Sequence, residues 1–90
     1  VLRNGHPLMT RVTGVGCSAS ALVGAFAAVQ PDAWRACTSA MAYWGVVGQI
    51  AAARIAPNTG TGSYASALLD VASTLSQDEL AATLRAEALA

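Results

Sequence analysis

From Val12 to Pro31, and again from Ala36 to Ala53, the chain carries no charged side chain. A helix at a protein surface normally turns charge toward water on its outer face. Two long stretches without any charge therefore belong to helices covered on more than one side. The composition agrees: 54% of the 90 residues are apolar and 11% charged, with mean hydropathy +0.47. A soluble domain carries about 25% charge. Such a chain is one domain or a piece of one, set inside a larger protein, an oligomer or lipid. Val1 stands where an initiating methionine would, inside an extended segment, and we expect sequence upstream of it.

Lipid is the weakest of these settings. The first stretch is interrupted by Gly14 and Gly16 and is rich in alanine and serine. The second contains Thr38, Ser39 and Gln49. Hydrophobicity this modest suits helices buried in protein. Net charge is zero, lysine is absent, and the cations are single arginines at 3, 11, 35, 54 and 85. Nothing here tracks a phosphate backbone, which excludes nucleic acid as a partner.

Asn4-Gly5 is a strong tight-turn signal, so residues 1–12 are expected to form a β-hairpin. Its second strand delivers the chain to a corner at 13–17, Thr13-Gly14-Val15-Gly16-Cys17. Helices are expected over about 17–29, 32–55, 63–74 and 77–88. Pro31-Asp32 and the Ser76/Glu79 capping-box spacing mark two of the starts, and Pro57 to Gly62 forms a breaker-rich loop. Trp34, Met41, Trp44, Val47 and Ile50 are the large apolar groups of the second helix, and Tyr64, Leu68, Leu69, Val71 and Ala72 turn inward from the third. A hairpin with apolar helices on one side does not complete a sheet, so the expected fold class is α/β, with the sheet finished upstream.

The corner is the candidate site. Two glycines one residue apart before a helix let several N–H groups converge, and the positive helix end adds to their attraction for an anion. Cys17 sits at that end, a position that favours a thiolate. Locally, glycine pairs are also ordinary turn devices, and a lone cysteine is often a small buried hydrophobe. The spacing is not a Walker loop, which needs a lysine, nor a dinucleotide fingerprint, which needs a third glycine. Cys17 and Cys37 fall at opposite ends of an antiparallel helix pair, roughly 15–20 Å apart. Reduced thiols and a cytoplasmic setting are expected. His6 reads as an exposed strand residue, Arg11 as a strand charge within reach of a phosphate, and Asp32, Asp70, Asp78, Glu79 and Glu87 as cap or surface residues. No metal cluster is visible.

The run Asn4-Gly5-His6-Pro7-Leu8-Met9-Thr10-Arg11-Val12-Thr13-Gly14-Val15-Gly16-Cys17 closely resembles the hydroxyethylthiazole kinases, a thiamine-salvage branch of the ribokinase-like superfamily. The resemblance continues through Tyr43, Gly45 and Gln49-Ile50-Ala51-Ala52 to Gly60-Thr61-Gly62-Ser63. It implies the C-terminal part of an α/β/α sandwich, usually trimeric with active sites between subunits. It also implies ATP-dependent, Mg²⁺-dependent phosphorylation of 4-methyl-5-(2-hydroxyethyl)thiazole. Gly14, Val15, Gly16 and Cys17 match the anion hole around the transferring phosphoryl, with Gly16 and Cys17 the catalytic positions, and Gly14 also matches a thiazole-contacting position. Cys17 stands where most of the superfamily has an aspartate base, and the superfamily's preceding aspartate falls at Arg11. The metal carboxylates and most of the thiazole pocket would lie upstream. A non-catalytic helical interaction subunit and a small membrane hairpin are the alternative readings.

Overall fold

The computed structural model describes residues 1–88, and the longest of its helices is its centre. A 3-10 turn, Pro7–Arg11, is followed by α1 (Val15–Val29), α2 (Ala33–Arg54), α3 (Thr61–Thr74) and α4 (Gln77–Thr83). On α2, Ala36, Ala40, Trp44, Val47 and Ala51 are buried, spaced three or four residues apart along one helical stripe. Tyr64, Leu68 and Val71 of α3 pack on that stripe in one core, with Leu75 partly buried against them. Burying a side chain of this size stabilises the fold by about 1.5–3 kcal/mol. Among the described residues the two ion pairs, Arg3–Glu87 and Arg54–Glu79, lie in the open and contribute far less. The α2–α3 seam is what holds the chain.

Local chemistry sets the helix ends. Asp32 Oδ1 accepts from Arg35 N at 3.2 Å and starts α2, while Ser76 Oγ accepts from Glu79 N at 3.1 Å and starts α4. The reciprocal half of a capping box is not used, because the Glu79 carboxylate takes Arg54 Nη2 at 2.7 Å. The last helix stops at Thr83, short of the expected 88, and residues 84–88 turn back beside the N-terminus.

The hairpin expected over residues 1–12 does not form, and with it the α/β fold class falls. Among the described residues the β pairing is one isolated antiparallel bridge, Leu2 with Ala86, and the architecture is helical. The physical reason is visible around Asn4. Gly5 does take positive φ, +137°, so the chain turns there. But Pro7 sits at the head of a 3-10 turn and His6 Nδ1 caps it by accepting from Leu8 N at 3.1 Å. Proline's fixed φ favours that helical start over a strand. Asn4 spends its side chain on distant partners: Nδ2 donates to Gln49 Oε1 at 2.7 Å and Thr83 O at 2.9 Å, and Oδ1 accepts from Arg85 N. The N-terminal segment is thus pinned across α2, where Gly45 and Gly48 leave room for it. A Cβ on Gly48 would overlap Met9 Sδ, and one on Gly45 would lie 3.1 Å from the Asn4 carbonyl oxygen.

The apolar set divides differently from the expectation. Trp44 is buried, but Trp34 is 78% exposed, Leu69 69% and Met41 46%. Helix α1 has no buried residue, although its sequence is apolar all round. Among the described residues no helix is long and apolar enough to cross a membrane.

Tyr64 gives the seam a pH signature. Its ring is fully buried, its hydroxyl donates to the Gly48 carbonyl at 2.8 Å, and burial pushes the phenol above its ordinary 10.0. The unfolded phenol loses its proton first, so the native state binds more protons above pH about 10 and stability falls as pH rises there. Tyr64→Phe should cost about 1 kcal/mol at neutral pH and flatten that alkaline decline, read by urea unfolding at pH 7 to 11; an unchanged alkaline slope would contradict the assignment. Asn4→Ala removes three bonds at once and should cost about 1–3 kcal/mol by the same measurement. A loss within error would show that the N-terminal segment is not held by Asn4.

Candidate functional site

The corner is built by a handedness constraint. Gly14 is the N-cap of α1 with φ +95°, a left-handed conformation that costs a side-chain-bearing residue about 1–2 kcal/mol. That twist ends the extended passage at Val12 and lets the helix begin at Val15, two residues earlier than expected. Ser18 N donates to Gly14 O at 2.9 Å, closing the first turn. The N–H groups of Val15, Gly16 and Cys17 precede that bond. They have no carbonyl before them in the helix, and Gly14 has no side chain to cap them. These amides lie at the positive end of a fifteen-residue helix, with no side-chain cap.

Gly14, Gly16 and Cys17 are exposed, whereas Val15 is half-buried. Val12 and Val15 pack against the α2–α3 core, so the corner is anchored from beneath. Gly16 is the informative residue. Its φ is ordinary, and a Cβ there would meet nothing within 4 Å. Neither strain nor crowding inside this chain requires glycine, yet glycine in a helix costs about 0.5–1 kcal/mol relative to alanine.

The other candidates separate from the corner. His6 is an N-cap, with Nδ1 engaged by Leu8 N, in place of the expected strand residue. Arg11 is exposed in the last turn before the corner, two residues from Thr13, and makes no ion pair among the described residues. Cys17 and Cys37 are both free and exposed. Asp32 and Glu79 act at helix ends, and Glu87 pairs with Arg3. Among the described residues no three His, Cys, Asp or Glu side chains come together as a metal site.

Sequence reasoning missed a hollow beside the corner. It measures about 120 Å³ and lies between Gly14, Val15 and Ser18 on one side and Trp44, Leu68 and Leu69 on the other. Its only advance signal is the placement of Trp44 among small residues on α2. The geometry separates the two glycines by their roles. Gly14→Ala should destabilise the fold by about 1–2 kcal/mol through strain, whereas Gly16→Ala should leave it unchanged or up to about 1 kcal/mol more stable. Thermal unfolding of the two variants checks this, and equal losses would remove the argument that Gly16 is kept for access.

The sequence model of the hydroxyethylthiazole kinase family matches residues 1–78. The chain is 69% identical over 70 residues to a hydroxyethylthiazole kinase of Leptothrix cholodnii, covering 77% of this chain and 25% of that protein. It is 51% identical over 84 residues to the enzyme of Syntrophus aciditrophicus, covering 93% of this chain and 30% of that one. For the enzyme of Leptospira biflexa the values are 49% over 86 residues, 96% and 31%. The chain thus spans about a quarter to a third of the length of these relatives. A family match over most of its residues, with identities this high, shows that the chain belongs to the hydroxyethylthiazole kinase family.

Proposed function

We propose that this chain supplies the phosphate-binding corner of an ATP-dependent kinase acting on the hydroxyl of 4-methyl-5-(2-hydroxyethyl)thiazole. The observation that carries the reading is the corner itself, where Gly14 at φ +95° opens α1 without a side-chain cap and a Cβ on Gly16 would meet nothing within 4 Å. Kinship with proteins named hydroxyethylthiazole kinase supports the substrate. In this reading the N–H groups of the corner hold the γ-phosphoryl oxygens, and they gain most when charge builds on those oxygens during transfer. Gly14, where the backbone turns, sits against the thiazole alcohol. The alcohol oxygen bonds to phosphorus as the bond to ADP breaks, and the hydroxyl proton leaves toward Cys17 or water.

Cys17 occupies the position of a base, but a thiol is a poor base for an alcohol. The amides, with Gly16 keeping them accessible, carry the larger share. Mg²⁺ neutralises phosphate charge in such transfers, and its carboxylates come from other residues of the complete enzyme, as does most of the thiazole pocket. The chain by itself should therefore be inactive. The uncovered apolar surface of α1, with Val29 and Trp34 exposed nearby, fits burial against further protein, including the subunits of a trimer. Free, exposed cysteines fit a cytoplasmic enzyme.

ATP-dependent phosphorylation of the thiazole alcohol, followed in the complete protein that carries these residues, tests the reading. Gly16→Val should lower turnover by about a hundredfold or more while circular dichroism stays unchanged. A folded, fully active Gly16→Val enzyme would falsify the anion-hole assignment. Cys17→Asp should keep or raise turnover; a folded but dead variant would remove Cys17 from the base position.

A further inference from the structure

Trp44 is 5% exposed, and its indole Nε1 is buried with no acceptor among the described residues. An indole N–H only donates, and a buried one usually finds an acceptor. Trp44 borders two adjoining hollows. The first is the space of about 120 Å³ beside Gly14 already described. The second, about 270 Å³, continues along α1 from Ser18 to Leu22 and reaches Leu69 and Ala72 on α3. Together they form a trough from the corner to α3, and Ser18, Trp44 and Leu69 line both parts. Most of the lining is apolar. Its hydroxyls are those of Thr13, which is exposed, and Ser18, which is half-buried.

We propose that ordered water is held where the two parts of the trough meet, accepting from Trp44 Nε1 and bonding to Ser18 Oγ, and that it ties α2 to the first turn of α1. Space, donor and acceptor are all present at that place. A single water needs about 10–15 Å³ and roughly two to four polar partners, and the first hollow alone is several times roomier. The Ser18 hydroxyl both donates and accepts, so a water between it and the indole gives the Nε1–H its acceptor. Apolar cavities stay dry, which puts the water at the Ser18 end rather than against Leu22, Leu69 and Ala72. Ser18 also carries the N–H that closes the first turn on Gly14 O at 2.9 Å. Because α1 has no buried residue, a link at Ser18 steadies the turn that carries Val15, Gly16 and Cys17. The inference does not depend on what the corner binds.

A crystal structure of the complete protein, at a resolution that shows ordered water, tests the site directly. Water within hydrogen-bond reach of both Trp44 Nε1 and Ser18 Oγ is expected. An indole N–H bonded directly to another protein group, or no water beside it, overturns the proposal. Amide hydrogen exchange in the same protein tests the link. Ser18→Ala removes the hydroxyl, and Trp44→Phe removes the donor while keeping an aromatic ring. Each should speed exchange of the amides at 18–20 about threefold or more, relative to their intrinsic rates. Helix propensity alone predicts the reverse for Ser18→Ala, since alanine is the better helix former. The double variant should show no more than the larger single effect, because both substitutions break the same link. Slower or unchanged exchange in Ser18→Ala overturns the tie, as do effects that multiply in the double variant. Should Trp44→Phe fail to fold, the crystal structure and Ser18→Ala still decide.

Discussion

The seam between α2 and α3 is the contact on which the remaining structure depends. Tyr64 fills it, with its ring fully buried and its hydroxyl on the Gly48 carbonyl. Other parts of the chain lean on that pair. Met9 lies over Gly48, Asn4 over Gly45, and Val12, Val15 and Leu22 pack against the same core. The corner is held in place because Val12 and Val15 sit on this seam. Its first amides have no side-chain cap, because α1 begins at a glycine.

The two glycines of the corner differ in what holds them there. Gly14 is required by backbone geometry, since φ +95° suits no other residue well. Gly16 is required neither by its φ nor by crowding among the described residues. Trp44, packed between α1 and α3, keeps a buried indole N–H without a partner.

Much of this was readable in the residues, and the errors have physical causes. Asp32 and Ser76 are cap residues by type, and each accepts from the backbone three residues on. The paired glycines ahead of the apolar run mark a turn, and α1 begins there, with Gly14 as its N-cap. Asn4-Gly5 misled because the signal reports a turn and is silent on the conformation of the residues after it. Pro7 and the His6 cap divert the chain into a 3-10 turn, and Asn4 bonds to residues 45 or more positions away. Trp34, Met41 and Leu69 have the hydrophobicity of core residues but stand on surface this chain does not cover. Hydrophobicity measures the wish to be buried, and a partner must supply the burial.

By itself, the sequence determined the capped starts of α2 and α4, the charge-free stretches from Val12 to Pro31 and from Ala36 to Ala53, and the glycine turn ahead of α1, because each is set by residues within one or two turns of one another. It also carried the kinship to a kinase family, through an unbroken run from Asn4 to Cys17. The tertiary structure alone decided that no hairpin forms among the described residues, that Trp44 rather than Trp34 is buried, and that a trough joins the corner to α3. Those outcomes rest on contacts between residues far apart in the chain, such as Asn4 with Thr83 and Tyr64 with Gly48. Local propensity has no access to them, since their energy exists only once the helices have packed.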